Sequence, residues 1–232
     1  MRSVPQIRPE EVWVVVAALN EASRIGTTIS SLVTFGWRVV VVDDGSSDST
    51  LAVARRAGAV VLRHLINRGQ GASLQTGIEF AVSQGAKYIV TFDADGQHCA
   101  RDVPEMVDCL VSGKADIVLG SRFLGAVVDI PWHRYWMLKL ATLFTRLTTR
   151  LEITDTHNGL RAMTASTAKQ LRLCEDRMAH ASEILHVIAN SGLRYVEHPV
   201  TIQYHRSTLA KGQRTADAWG VFTRLVISRL FT

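Results

Sequence analysis

The chain has 232 residues, 47% hydrophobic and 20% charged, with a net charge of +5. This is globular composition, sufficient for one substantial core, and it excludes a disordered or low-complexity chain. The apolar runs near residues 12–19 and 39–42 are far too short to cross a bilayer, and three cysteines (Cys99, Cys109, Cys174) without CxxC or zinc spacing exclude a disulfide scaffold.

Residues 12–18 are apolar and rich in valine, and read as a buried strand. Residues 21–35 follow as a helix, with Ile25, Ile29, Leu32 and Val33 on one face. Residues 38–42 are a second buried strand, and the loop 43–48 opens a helix over 49–57. A short strand over 59–63, a helix over 72–83 entered through Gly69 and Gly71, a strand over 87–92, a helix over 102–111 and a strand over 116–119 complete the first half. Strands alternating with helices predict an α/β fold, and continuously apolar strands predict a mainly parallel central sheet flanked by helices on both faces. Past Gly120 the chain predicts a basic helix over 133–150, a short helix over 182–189, and strands over 194–197 and 199–204 on the far edge of the sheet. A last helix over 216–230 carries Trp219, Phe222, Val226 and Leu230, with Arg224 and Arg229 among them.

In parallel α/β sheets ligands bind beyond the carboxyl ends of the strands. The polar clusters Asn20-Glu21, Asp43-Asp44 and Asp93–His98 fall at those ends. If the chain stays extended through Asp93-Ala94-Asp95, the two carboxylates share a side and repel, which a divalent cation relieves. Oxygen ligands favour Mg2+ or Mn2+; Gln97 adds a neutral oxygen, whereas His98 would suit a later transition metal. The alternative is a solvated acidic turn. Asp43 and Asp44 can accept hydrogen bonds from a ribose or a base, while Ser46 or Ser47 caps the next helix. Asn20 suits the same ligand work or a cap. The glycine-rich entry Asn67-Arg68-Gly69-Gln70-Gly71 offers backbone amides to a phosphate, or is a plain turn. No GxGxxG and no GxxxxGK[ST] motif occurs.

Residues 1–120 hold 11 basic against 13 acidic residues, and residues 121–232 hold 15 against 8. An acidic first half suits a metal, and a basic second half suits phosphates or an anionic membrane surface. Nucleic acid is excluded as a partner because no reader motif or interleaved aromatics accompany the charge. Arg122, Arg134, Arg161, Arg206 and Lys211 are the candidate anion binders, with solvated surface charge as the alternative. Glu183 either caps its helix or serves as a general base.

Taken in order, Ala18-Leu19-Asn20-Glu21, residues 43–50, Asn67-x-Gly69-x-Gly71, residues 93–98 and Gly120-Ser121-Arg122-Phe123 resemble the successive signatures of family 2 glycosyltransferases. The match covers residues 12–125. Residues 155–161 and Ser182-Glu183 resemble the branch related to dolichyl-phosphate mannose synthase and extend it to about 212. The resemblance implies a GT-A fold, Rossmann-like and nucleotide-binding, as a single domain over 1–232. Residues 12–122 would form the nucleotide-sugar and metal half, 123–215 the acceptor half, and 216–232 an amphipathic helix.

It implies an inverting, Mn2+- or Mg2+-dependent transfer of a hexose from a UDP- or GDP-sugar to a polyprenyl phosphate. The alternatives are a sugar hydroxyl in surface polysaccharide or glycolipid synthesis, and a nucleotide-sugar-binding module without turnover. Ala18, Asn20, Glu21, Asp43, Asp44, Arg68 and Gly71 would hold the donor, and Asp93, Asp95 and Gln97 the metal and diphosphate. Asp95, Arg122 and Glu183 would be catalytic, Arg122 and Arg134 would meet the acceptor phosphate, and Arg206 with Lys211 would close over the phosphates.

Ala17-Ala18 replaces the usual proline before Asn20-Glu21, and residues 204–213 look more like bacterial surface-polysaccharide relatives. A nucleotide-sugar pyrophosphorylase would need a glycine-rich basic loop at the start, which residues 1–10 lack. The expected location is cytoplasmic, peripheral at the inner face of the membrane. The final helix would rest on lipid, on the core or on a partner subunit of a homo-oligomer.

Overall fold

The computed structural model describes residues 7–128, 130–171, 173 and 180–204. Seven strands form one sheet: β1 (Val12–Ala18), β2 (Arg38–Asp43), β3 (Val60–Arg63), β4 (Tyr88–Asp93), β5 (Ile117–Val128), β6 (Arg161–Thr164) and β7 (Tyr195–Gln203). Their spatial order is β3-β2-β1-β4-β6-β5-β7. The helices are α1 (Ile25–Val33), α2 (Thr50–Arg56), α3 (Gln70–Ser83), α4 (Val103–Val111), α5 (Trp132–Thr149), α6 (Ala165–Gln170) and α7 (His180–Ser191). β1 pairs in parallel with β2 and β4, β2 with β3, and β5 with β7; β6 runs antiparallel between β4 and β5.

The central strands are apolar on both faces because both faces are covered. Val14, Val16, Val39, Val41, Val90 and Phe92 pack against Ile25, Ile29 and Leu32 of α1 and Met106, Val107 and Leu110 of α4. Trp13, Val15, Val40 and Ile89 turn the other way, towards Leu74 and Ile78 of α3 and Ile184, Leu185 and Ile188 of α7. Each such side chain contributes roughly 1.5–3 kcal/mol when fully buried. Gly77 lets α3 come close to the sheet: a Cβ there would collide with Val15 and lie 3.2 Å from Val42.

Several elements differ from the sequence-based expectations. Helix α1 begins at Ile25 instead of 21, because Asn20 adopts a left-handed φ of 54° and the chain turns before the helix. Neither Ser46 nor Ser47 caps α2; the Thr50 amide donates to Asp48 Oδ1 at 2.9 Å. Ser46 Oγ instead accepts from the Asn20 amide, and Asn20 Oδ1 accepts from the Ser47 amide, both at 2.9 Å. These bonds tie the end of β1 to the end of β2, so Asn20 does not cap α1.

β5 runs on to Val128, and residues 194–197 and 199–204 join in one strand, β7. Pro199 is tolerated there because β7 is an edge strand. The sequence reading contained neither β6 nor α6. Among the described residues no helix is long and apolar enough to cross a membrane. The helix expected over 216–230, and Arg206 and Lys211 with it, lie outside the described residues.

Candidate active site

Parallel register aligns the carboxyl ends of the central strands: Ala18 sits opposite Asp43 on β2, and Ala17 opposite Asp93 on β4. The loops leaving these ends line a cleft of about 770 Å³. Ala18, Leu19, Glu21 and Arg24 come from the β1 side, Asp44 from β2, and Asn67, Gly69, Gln70 and Ser73 from the entry to α3. Asp93, Asp95, Gln97 and His98 follow β4, and Arg122, Arg134, His157, Gly159 and Ile202 close the far side.

The two acidic residues at the end of β2, Asp43 and Asp44, have different surroundings. Asp44 accepts from the Arg68 and Gly69 amides at 2.9 and 2.8 Å and meets His64 Nδ1 at 2.8 Å. Burial pushes its pKa up, but the Arg68 amide, His64 and the Gly69 amide outweigh that and hold it below the ordinary value. Asp44 therefore shapes the loop over 64–69. A depressed folded pKa means stability present above the unfolded value of about 4 and lost as pH falls through the folded one. Asp44→Asn is accordingly expected to cost about 2–3 kcal/mol at pH 7 and progressively less as the pH is lowered below about 4, read from urea unfolding across that range. Asp43 lies outside the cleft lining, almost fully buried, with Arg63 Nε 3.5 Å from its Oδ2 and no hydrogen bond to that oxygen.

β4 ends at Asp93 and the chain turns through Gly96, whose φ is 75°. The extended geometry assumed for Asp93-Ala94-Asp95 thus stops at its first residue, yet the turn delivers both carboxylates to the cleft. Burial, then the neighbouring Asp93 charge, pushes the Asp95 pKa up, and Glu21 adds to the repulsion. Asp93 accepts from Gln70 Nε2 at 3.1 Å and meets His98 Nε2 at 3.0 Å. His98 is thereby a partner of Asp93, unlike the separate ligand for a later metal that the sequence allowed. Gly159 backs the same carboxylate so closely that a Cβ would lie 2.6 Å from the Asp93 carboxyl carbon.

Arg161 belongs with the core, which corrects its place among the candidate anion binders. It is fully buried, its pKa is lowered to about 10 by that burial, and Asp93 and Asp155 supply the opposing charge. Arg122 lines the cleft but spends its guanidinium inside the protein. Its Nε donates to Asp155 Oδ2 and its Nη2 to the His157 carbonyl, both at 2.6 Å, and its Nη1 donates to the Tyr204 hydroxyl. Burial lowers its pKa, but the Asp155 charge leads the interactions that raise it above the usual value. Arg134, in the first turn of α5, lies over the Tyr204 ring with its guanidinium carbon 4.9 Å from the centroid.

A family model, Glycosyl transferase family 2, matches residues 13–172. The chain belongs to this family. It is a glycosyltransferase on a GT-A fold. The glycosyltransferase is 25% identical, over 94% of its length and 96% of the relative's, to the UDP-N-acetylglucosamine–dolichyl-phosphate N-acetylglucosaminyltransferase of Methanococcus voltae. It is 29% identical to the polyprenol monophosphomannose synthase of Mycolicibacterium smegmatis, covering 81% of this chain and 77% of that one. In fold it resembles the glucosyl-3-phosphoglycerate synthase of Mycobacterium tuberculosis, solved with Mn2+, uridine diphosphate and glucosyl-3-phosphoglycerate. There the TM-score is 0.70 and identity 22%, over 94% of this chain and 78% of that one.

Of the residues expected to serve the glycosyltransferase, Ala18, Glu21, Asp44, Asp93, Asp95, Gln97, Arg122 and Arg134 meet in the cleft lining. Asn20, Asp43, Arg68 and Gly71 stand beside it without lining it: Arg68 contributes its backbone amide to Asp44, and Gly71 is buried in the first turn of α3. Glu183 sits on α7 and does not line the cleft. Sequence reasoning missed Arg24, Ser73, His157 and Ile202 as lining residues, and it gave Gln70 and Gly159 no roles of their own. Gln70 and Gly159 did lie within quoted motifs; Arg24, 3.2 Å from Glu21 through its Nη1, carried no signal beyond proximity.

Proposed function

We propose that this enzyme transfers a hexose from a nucleoside diphosphate sugar to a polyprenyl phosphate, with inversion at the anomeric carbon and with Mn2+ or Mg2+ bound. The observation that carries the reading is the Asp93/Asp95 pair facing a cleft whose far wall holds Arg122 and Arg134. An acidic end suits a cation and a leaving diphosphate; a cationic wall suits an anionic acceptor. The M. voltae relative is named for a UDP-sugar and dolichyl phosphate, and the M. smegmatis relative for a polyprenol product.

The residues present fit such a cation. Asp93 and Asp95 offer hard oxygens, Gln97 adds an amide oxygen, and the charge of Asp93 that raises the Asp95 pKa is a repulsion a cation relieves. Among the described residues no cluster of three or more His, Cys, Asp or Glu is arranged to hold a metal unaided. That matches Mg2+-type binding, which takes one or two carboxylates and fills the remaining positions with phosphate oxygens and water. When bound, the ion neutralises charge on the departing diphosphate.

The protein's own residues then have these roles. Ala18, Glu21 and Asp44 line the end of the cleft that takes the nucleoside of the donor, and Asn20, Asp43 and the Arg68 amide brace that lining from beside it. Arg134 meets the acceptor phosphate and Arg122 shapes the wall behind it. An acceptor phosphate oxygen bonds to the anomeric carbon as the bond from that carbon to the diphosphate oxygen breaks on the opposite face. A phosphate acceptor is already an anion and needs no general base, consistent with Glu183 outside the cleft. In this reading residues 12–122 are the donor half of one domain and 123–215 the acceptor half.

The test is a thermal-shift panel of nucleoside diphosphates with Mn2+, Mg2+ or chelator, followed by transfer from the matching sugar nucleotides to a short-chain prenyl phosphate. One base at about 100 times its Kd should stabilise by about 2.7 kcal/mol, a rise in Tm of roughly 5–10 °C that chelation removes. Transfer only to sugar hydroxyls would overturn the acceptor, and no metal-dependent shift with any base would overturn the donor site.

A further inference from the structure

Helix α5 is turned inside out. At 100° per residue Trp132, Trp136, Leu140, Leu143 and Leu147 fall within an arc of about 80°. They are 76%, 60%, 63%, 53% and 73% exposed. The buried face consists of Leu138, Thr142 and Thr145. Both threonine hydroxyls satisfy themselves inside the helix, donating to the Leu138 and Ala141 carbonyls at 2.9 and 3.0 Å. A helix selected for packing alone would bury the leucines and expose the threonines. Leu124 and Val128 on β5, just before α5, are exposed as well.

We propose that this outer face of α5 docks on an anionic lipid bilayer. α5 contains no acidic residue; Lys139 and the exposed Arg146 lie along one side of the apolar arc, Lys139 with its Nζ 3.8 Å from the Phe123 ring centroid, and Arg150 lies at its end. Paired tryptophans beside leucines and a cationic border describe an interfacial helix on an anionic leaflet. A second copy of this chain fits less well, since self-pairing of the stripe would set these cations against one another with no acid on the helix. Residues 218–232 of the chain likewise contain arginines and no acid. The first turn of α5 also carries Arg134 into the cleft wall while Trp132 and Trp136 face outward. A lipid-borne phosphate could therefore reach the cleft with its hydrocarbon chain still in the bilayer. This last consequence rests on the polyprenyl-phosphate reading; the docking does not.

The experiment is co-sedimentation of the full chain with phosphatidylcholine vesicles, with and without phosphatidylglycerol. Wild type is expected to bind the anionic vesicles. Leu140→Glu/Leu143→Glu should lower the bound fraction at least about tenfold, and Arg146→Glu/Arg150→Glu should remove the preference for phosphatidylglycerol. Both variants change exposed side chains only, and an unaltered unfolding temperature verifies their fold. The proposal is overturned if the double glutamate variant binds like wild type, which moves binding to another surface. It is equally overturned if wild type binds no vesicles, including the case of a dimer in sedimentation velocity that Leu140→Glu/Leu143→Glu dissociates. Transfer to a short-chain prenyl phosphate without vesicles tests the acceptor reading separately, so the two can fail independently.

Discussion

Asp95→Ala is expected to abolish metal-dependent nucleotide binding and to lower kcat/KM about a thousandfold or more, while leaving the metal-free protein as stable as before or slightly more so. The signs differ because the carboxylate is costly to the empty fold. Burial and the Asp93 charge both raise its pKa, and Glu21 adds to them, so the ionised form is disfavoured where it stands. Within its own turn it accepts from the Gln97 amide at 3.0 Å. Removing it relieves a repulsion and deletes a ligand together. Titration calorimetry with nucleotide and Mn2+, beside urea unfolding in chelator, separates the two effects. Transfer within tenfold of wild type would sink the metal-ligand role, and a loss of several kcal/mol of stability would make Asp95 a structural residue.

Gly159→Ala is the second large effect, and it follows from packing. Thr91 Oγ1 holds the Gly159 carbonyl at 2.7 Å, so the loop cannot simply retreat. A methyl group at 159 would stand 2.6 Å from the Asp93 carboxyl carbon. The carboxylate must swing away, breaking its contacts with Gln70 and His98. A displacement of about 1 Å in a positioning group costs on the order of a hundredfold in rate, and overpacking costs roughly 1–3 kcal/mol of stability. The expected signature is a fall in kcat and weaker Mn2+ dependence. Wild-type kcat with normal metal affinity would show that the position of Asp93 is not critical.

The parts of the fold that were legible in the sequence are those where local pattern and burial coincide. β1, β2 and β4 are continuous apolar runs because parallel strands covered on both faces leave no polar side, and each ends in a polar cluster. The cleft at those ends could be located from that coincidence alone, and the ordered motifs supplied the family. β6 escaped notice because four residues beginning with a buried arginine show no strand pattern; its apolar partners come from β4 and β5. The capping of α2 was misread because Ser46 and Ser47 found partners in the β1 loop, 26 and 27 positions away.

Charge was the least legible property. Arg122, Arg134 and Arg161 look alike in a sequence, and only the folded surroundings divide them. Arg161 is sealed near Asp93 and Asp155, Arg122 is bound to Asp155 and Tyr204 across 33 and 82 positions, and Arg134 stands at the cleft. The same holds for α5, which the sequence reading took only as a basic helix; its exposed apolar stripe was a finding of the structure. Taken by itself, the sequence determined the alternating α/β order, the family and the strand ends where the chemistry sits, because these follow from short-range periodicity and contiguous motifs. Only the tertiary structure decided which cations face the cleft, which carboxylate shapes a loop and which side of α5 meets the outside, because those depend on partners brought together by sheet order.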